Sequence, residues 1–193
     1  MEPPSIAVII PVRDGAKLIH RQLAALKAQS HKDFEIVVSD NGSTDDTVAV
    51  VQRQQSEFKS LRCVDSSGTP GVAHARNVGI ASTEAEIVLI CDADDAVSQT
   101  WVEAHVDTLR EFDASTGPLC LTVEGELTGS TWFNEAVPVS LGHKSYSPGC
   151  NMGFRKAVLN AVGPFDETLR RGQEDVDYGW RLVVLPREVV NAV

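Results

Sequence analysis

Four short runs of apolar, largely β-branched residues punctuate the first half of the chain, at 6–10, 35–39, 61–64 and 86–91. Strands that read as nearly continuous apolar runs, without polar alternation, are covered on both faces. Longer amphipathic stretches separate them, and this alternation builds a mostly parallel sheet whose crossovers are helices. The stretch 16–29 sets Ile19, Leu23 and Leu26 at i, i+4 and i+7, which predicts a helix packed on the sheet. A second helix is expected over 43–56, with Ser43 as N-cap, Asp46 three residues on and Asp45 beside it at the positive helix end. The third, 72–82, follows Gly71 and carries Ala73, Ala75, Gly79 and Ala81, small enough for a backbone or ligand to come close.

After Asp95 the rhythm changes. A helix is expected over 98–112, then a β-rich stretch over 118–140 punctuated by Gly125, Gly129 and Pro138, then two helices over 155–162 and 174–183. On the last, Val176, Trp180 and Val183 form the stripe predicted to be buried, leaving Glu174, Asp177 and Arg181 facing away. The whole of 1–193 reads as one domain, with no internal repeat or low-complexity linker.

A formal net charge of -10 disfavours binding to nucleic acid through a general basic face and directs attention to cations. Cys63, Cys91, Cys120 and Cys150 are too widely spaced for a zinc knuckle or a dense disulfide scaffold, so they are read as reduced, mostly buried thiols. The start, Met1-Glu2-Pro3-Pro4-Ser5, has no basic leader, and no apolar run reaches the roughly 20 residues that span a bilayer. The expectation is a cytoplasmic protein, with peripheral membrane association and a homodimer left open.

Open α/β sheets bind ligands beyond the carboxyl ends of their strands. Three polar clusters occupy that position: Pro11-Val12-Arg13-Asp14, Asp40-Asn41-Gly42-Ser43-Thr44-Asp45 and Asp92-Ala93-Asp94-Asp95. In an extended segment Asp92 and Asp94 leave on one side, able to approach one hard divalent cation, Mg2+ or Mn2+, together. The competing reading is a solvated acidic turn in which Asp95 or Ser98 caps the next helix. Asp40 suits either a hydrogen bond to a nucleobase or ribose, or an Asx-turn with Asn41-Gly42. Arg76 offers a cation to a phosphate or base, or is simple surface charge. Glu174 and Asp175 open the last helix, either complementing its dipole or placing a carboxylate to take a proton.

In their order along the chain, these segments resemble the inverting family-two glycosyltransferases of GT-A fold. The resemblance rests on Ile9-Ile10-Pro11-Val12-Arg13-Asp14, EIVVSDNGSTDDT from Glu35, GVAHARNVGI from Gly71, CDADD from Cys91, GCNMGFRKAVLNAVGPFDE from Gly149 and GQEDVDYGWRL from Gly172. It implies a GT-A, Rossmann-like α/β fold, a mostly parallel sheet flanked by helices. Residues 1–97 would form the nucleotide-sugar-binding half and 98–193 the acceptor and catalytic half, short at the carboxyl end. Pro11, Val12, Arg13, Asp40, Asn41, Arg76, Asp92 and Ala93 would serve the nucleotide, and Asp94 with Asp92 the metal. Asp175 would be the general base, with Glu174 orienting it or the acceptor. The implied partners are a UDP-sugar donor and a glycan, lipid or small-molecule acceptor. Family members commonly place an aromatic where Arg13 stands, so the contact beyond the first strand differs here.

From another class, a non-catalytic nucleotide-sugar-binding module fits the same donor-side residues, and turnover separates the two. A dinucleotide-dependent oxidoreductase lacks its G-x-G-x-x-G after the first strand, and a nucleotidyltransferase its glycine-rich basic loop.

Overall fold

The computed structural model describes residues 5–123, 126–133, 137–170 and 172–184. Met1 to Pro4, Gly125 and the chain end from position 185 lie outside the described residues, and with them the expectations about a leader and a short carboxyl end.

In chain order the elements are β1 (Ile6–Val12), α1 (Ile19–Lys27), β2 (Glu35–Asp40), α2 (Thr47–Gln54) running into a 3-10 turn (Gln55–Glu57), β3 (Leu61–Asp65), α3 (Val72–Ala81), β4 (Ile87–Cys91) and α4 (Trp101–Leu109). There follow β5 (Ala114–Ser115), β6 (Leu119–Val123), β7 (Glu126–Phe133), β8 (Val139–Ser140), β9 (Lys144–Ser145), β10 (Asn151–Arg155), α5 (Lys156–Val162) and α6 (Glu174–Val183). The main sheet has the order β3-β2-β1-β4-β10-β5. The four runs read from the sequence are its parallel members, and β10 and β5 add antiparallel pairings beyond β4. Hairpins β6-β7 and β8-β9 stand apart from it.

Alternation along β1 divides its side chains between two cores. Val8, Ile10 and Val12 meet Ile19 and Leu23 of α1, Val51 of α2 and Val102 of α4 on one face. Ala7 and Ile9 meet Ala73 of α3, Phe154, Leu159 of α5 and Tyr178 of α6 on the other. Every residue of β1 and β2 is buried, as a strand covered on both faces must be.

Helix starts shift from the sequence expectation for one reason: the capping groups bind across loops. Ser43 Oγ accepts the Asp14 N–H (2.9 Å), and Asp14 Oδ1 accepts the N–H groups of Thr44 (2.7 Å) and Asp45 (3.3 Å). Asp45 accepts the Ala16 N–H (3.0 Å), and Thr47 Oγ1 accepts that of Gly15 (2.9 Å). With Ser43 and Asp45 so engaged, α2 begins at Thr47 and α1 at Ile19. Asp14 holds φ 52, a left-handed value that a short polar residue tolerates.

Strand β10 was legible only as a motif, because a glycine inside a five-residue strand suppresses the pattern. A Cβ on Gly153 would lie 2.4 Å from Ser115 Oγ and 2.7 Å from His105 Nδ1, so the close approach of α4 and β5 demands it. On α6 the predicted stripe is only partly buried: Val176 is, Trp180 is half-buried, and Val183 is 52% exposed. Glu174, Tyr178 and Gly179 are buried instead. A Cβ on Gly179 would come 2.7 Å from the Tyr146 backbone, so the segment after β9 crosses the helix there, and Tyr178 stacks on Phe165 (4.1 Å). All four cysteines are free, but only Cys91 is fully buried and Cys120 is exposed. Among the described residues no helix is long and apolar enough to cross a membrane.

A Cβ on Gly79 of α3 would sit 2.4 Å from Ile9 Cγ2 in the core. Overpacking of this kind costs about 1–3 kcal/mol, against about 1 kcal/mol gained in helix propensity, so Gly79→Ala lowers the urea midpoint although propensity alone predicts a rise. His105 is buried, with Nδ1 on Ser115 Oγ (2.6 Å) and Nε2 on Asn151 Oδ1 (2.9 Å), and burial pulls its pKa from 6.5 to about 4. The unfolded chain therefore binds the extra proton first, and stability present above pH 6.5 is lost as the pH falls toward about 4. The loss amounts to about 3 kcal/mol; His105→Gln flattens that part of a stability-against-pH curve measured by chemical denaturation.

Candidate active site

The carboxyl ends of β1, β2 and β4 open on one side of the sheet. A cavity of about 320 Å³ lies there, lined by Pro11, Val12 and Arg13, by Asn41, by Gly71 and Ala75 at the start of α3, and by Arg170. Four of the residues predicted for the nucleotide thus share one cavity. Asn41, however, is structurally engaged: Nδ2 donates to the Ser66 and Thr69 carbonyls, the latter at 2.9 Å, and Oδ1 accepts the Gly71 N–H (2.8 Å). These bonds let it shape the loop leading into α3. Asp40 is 8% exposed; Oδ2 accepts the Ser43 N–H (3.2 Å), while Oδ1 is buried without a protein partner among the described residues. A buried acceptor of that kind calls for a donor from water or ligand.

The acidic stretch after β4 is a turn, not an extended segment. Turn geometry brings i and i+3 together, so Asp92 faces Asp95, and their carboxylates and the Cys150 thiol lie within 4.8 Å of one another. Asp94 stands outside that group and is exposed. Ala93 turns its methyl into the core, 8% exposed. Asp95 is pushed up to about 6 by partial desolvation and then by the charges of Asp92 and Asp94. Asp92 is raised by burial despite the Arg76 guanidinium beside it, and also meets Asp94 and Glu174 as like charges. Burial pushes the Cys150 thiol up to about 12, so with no cation beside it the group is protonated at neutral pH. The Asp92 and Asp95 carboxylates offer hard oxygen donors, which fits Mg2+ or Mn2+.

Arg76, 2% exposed, is not surface charge. From α3 its Nη1 donates to Glu174 Oε1 at 2.6 Å and its Nη2 to Asp92 Oδ1 at 3.4 Å, with the guanidinium over the Phe165 ring. Glu174 was expected to face away from the core and is instead 5% exposed, because the buried guanidinium draws it inward. A Cβ on Gly149 would lie 2.3 Å from Arg76 Nη2, so this glycine makes the room. The Gly149 N–H donates to Asp175 Oδ2 (3.0 Å) and the Val176 N–H to Oδ1 (2.8 Å), which fixes the half-buried Asp175 carboxylate beside the pair. Asp177 and Arg181 pair on the helix surface at 2.8 Å, as their i, i+4 spacing predicts. Gly149, Cys150 and Arg170 were not assigned to the site from the sequence; the GCNMG motif holds the first two but gives no hint of their neighbours.

Residues 7–163 match the family model for glycosyl transferase family 2. The chain belongs to that family. Among curated relatives, it is 28% identical over 177 residues to glycosyltransferase AglE of Haloferax volcanii, covering 88% of this chain and 58% of the relative. It is 34% identical over 173 residues to an uncharacterized glycosyltransferase of Nostoc, covering 83% and 54% respectively. The S. aureus TarS structure in complex with UDP-GlcNAc superposes with a TM-score of 0.70 at 25% identity, over 92% of this chain and 53% of that one. The mannosyltransferase PcManGT from Pyrobaculum calidifontis, in complex with GDP-Man and Mn2+, superposes with a TM-score of 0.72 at 23% identity, over 94% and 52%. These GT-A neighbours confirm the fold class expected from the sequence. The chain spans little more than half the length of these two curated relatives.

Removing one partner of a buried ion pair costs about 3–5 kcal/mol, whereas replacing both by apolar groups is often neutral. Glu174→Ala is therefore expected to destabilise the fold by about that amount in guanidinium denaturation, and the double change Arg76→Met with Glu174→Leu to recover most of it while losing the site.

Proposed function

We propose that this chain carries the donor-binding and catalytic parts of an inverting glycosyltransferase, moving a sugar from a UDP-sugar to a hydroxyl of a glycan, lipid or small molecule with Mn2+ or Mg2+. The observation that carries this reading is the Arg76 bridge, because it gathers Asp92 after β4 and Glu174 at the start of α6 around one guanidinium. The fixed carboxylate of Asp175 comes with them. TarS bound to UDP-GlcNAc and PcManGT bound to Mn2+ support the donor and the metal.

In this reading Pro11, Val12, Arg13 and the free Oδ1 of Asp40 hold the nucleoside. Asp92 and Asp94 hold the metal, with Asp95 facing Asp92 across the turn. The cation they would hold would neutralise charge on the departing diphosphate. Asp175 takes the proton of the acceptor hydroxyl, whose oxygen attacks the anomeric carbon opposite the leaving diphosphate and inverts it. Glu174, locked on Arg76, orients the neighbouring Asp175 or the acceptor. Arg76 keeps the Asp92 and Glu174 carboxylates from repelling each other apart.

Titration calorimetry with UDP and Mn2+, alongside a transfer assay, tests the reading. Asp94→Ala abolishes the metal-dependent part of UDP affinity. Asp175→Asn leaves UDP affinity unchanged and lowers transfer by about 10²–10⁴-fold, the usual worth of a general base. A chain that binds UDP with Mn2+ yet turns over no donor with any acceptor is a binding module, and a chain that binds no UDP at all overturns the proposal.

A further inference from the structure

The cavity beside β1 contains a cation that the sequence reading did not assign. Its wall is mostly apolar, with Pro11, Val12, Pro70 and Val72, and its polar side chains are Arg13, Asn41 and Arg170. The Asn41 amide is engaged at both ends by Ser66, Thr69 and Gly71. Polar recognition from within this wall therefore falls to two guanidinium groups. Arg13 lies 3.9 Å from Asp14, whereas the exposed Arg170 has no side-chain partner among the described residues. In a chain of net charge -10, an exposed guanidinium lining an apolar slot is placed to meet a ligand there.

Arg170 reaches the cavity from the connection between α5 and α6, and that connection is pinned to α3. Asn77 accepts the Phe165 N–H (2.9 Å) and donates to the Phe165 carbonyl (3.0 Å) and Glu167 Oε1 (2.8 Å), and His74 Nδ1 meets Glu167 Oε2 (2.9 Å). The position of Arg170 over the cavity thus follows from packing on the donor-side helix. Asp92, Asp94 and Asp95, where the diphosphate belongs, do not line this cavity. A planar guanidinium above an apolar slot stacks on a flat ring and donates N–H groups to ring carbonyls.

Building on the donor reading above, we infer that Arg170 is a nucleoside-recognising residue, covering the base of the donor and contributing nothing to the diphosphate. It is carried on the same short connection that delivers Glu174 and Asp175, so the residue that covers the base is joined directly to the catalytic helix.

Protein-observed NMR titrations with uridine, which has no phosphate, and with UDP plus Mn2+ test this. Arg170→Ala is expected to raise the Kd of both ligands by the same factor, about 5- to 100-fold, the range expected for loss of one base-stacking side chain. Arg170→Lys, which keeps the charge and loses the plane, recovers little. Unchanged affinities, a loss confined to UDP, or full recovery by lysine would each overturn the assignment while leaving the donor reading intact. A wild-type chain that binds neither uridine nor UDP overturns the donor reading and this one with it.

Discussion

Arginine keeps its charge inside a protein, so a guanidinium placed within an α/β core dictates what surrounds it. Arg76 is such a group, and much of the candidate site follows from accommodating it. Glu174 comes in from α6 to meet Nη1, Asp92 from the end of β4 to meet Nη2, and Gly149 gives up a side chain to make room. Segments 98 and 16 residues away in sequence are brought to one point. Buried ion pairs add little net stability once desolvation is counted, and the worth of this one lies in geometry. It fixes how far the acidic turn stands from the start of α6.

A second set of constraints holds the opposite wall. The loops after β1 and β2 are stitched together through Asp14, Ser43, Asp45 and Thr47, each binding a backbone N–H or hydroxyl across the gap. Ser43 and Asp45 connect the two loops, Asp45 while also accepting the Thr47 N–H at the start of α2. Asn41 does the same for the segment leading into α3. The parallel strands place these loops side by side, and the cross-ties then set their shape.

Much of this was legible from residues alone. The fully apolar runs named β1 to β4 because only doubly covered strands tolerate such composition, and the strand-end clusters at Pro11, Asp40 and Asp92 marked the ligand side. The Asp177–Arg181 pair followed from spacing on one helix. What failed did so for identifiable reasons. Gly153 hid β10, since the close contact that requires a glycine is made by α4 and β5, remote in sequence. The stripe on α6 was misjudged because β9 and the following Tyr146 cover a face that an isolated amphipathic helix would leave open. The acidic stretch was read as extended, and it turns instead, bringing Asp95 round to Asp92.

The sequence by itself therefore determined the layered α/β architecture and the family, because both rest on local pattern and on the order of short motifs. Tertiary structure alone decided which polar residues meet: Arg76 with Glu174, Asp175 with Gly149, Cys150 with the acidic turn, and Arg170 at the cavity. Those partners are separated by tens of residues, and a guanidinium on a helix looks the same in sequence whether it faces water or lies buried between two carboxylates.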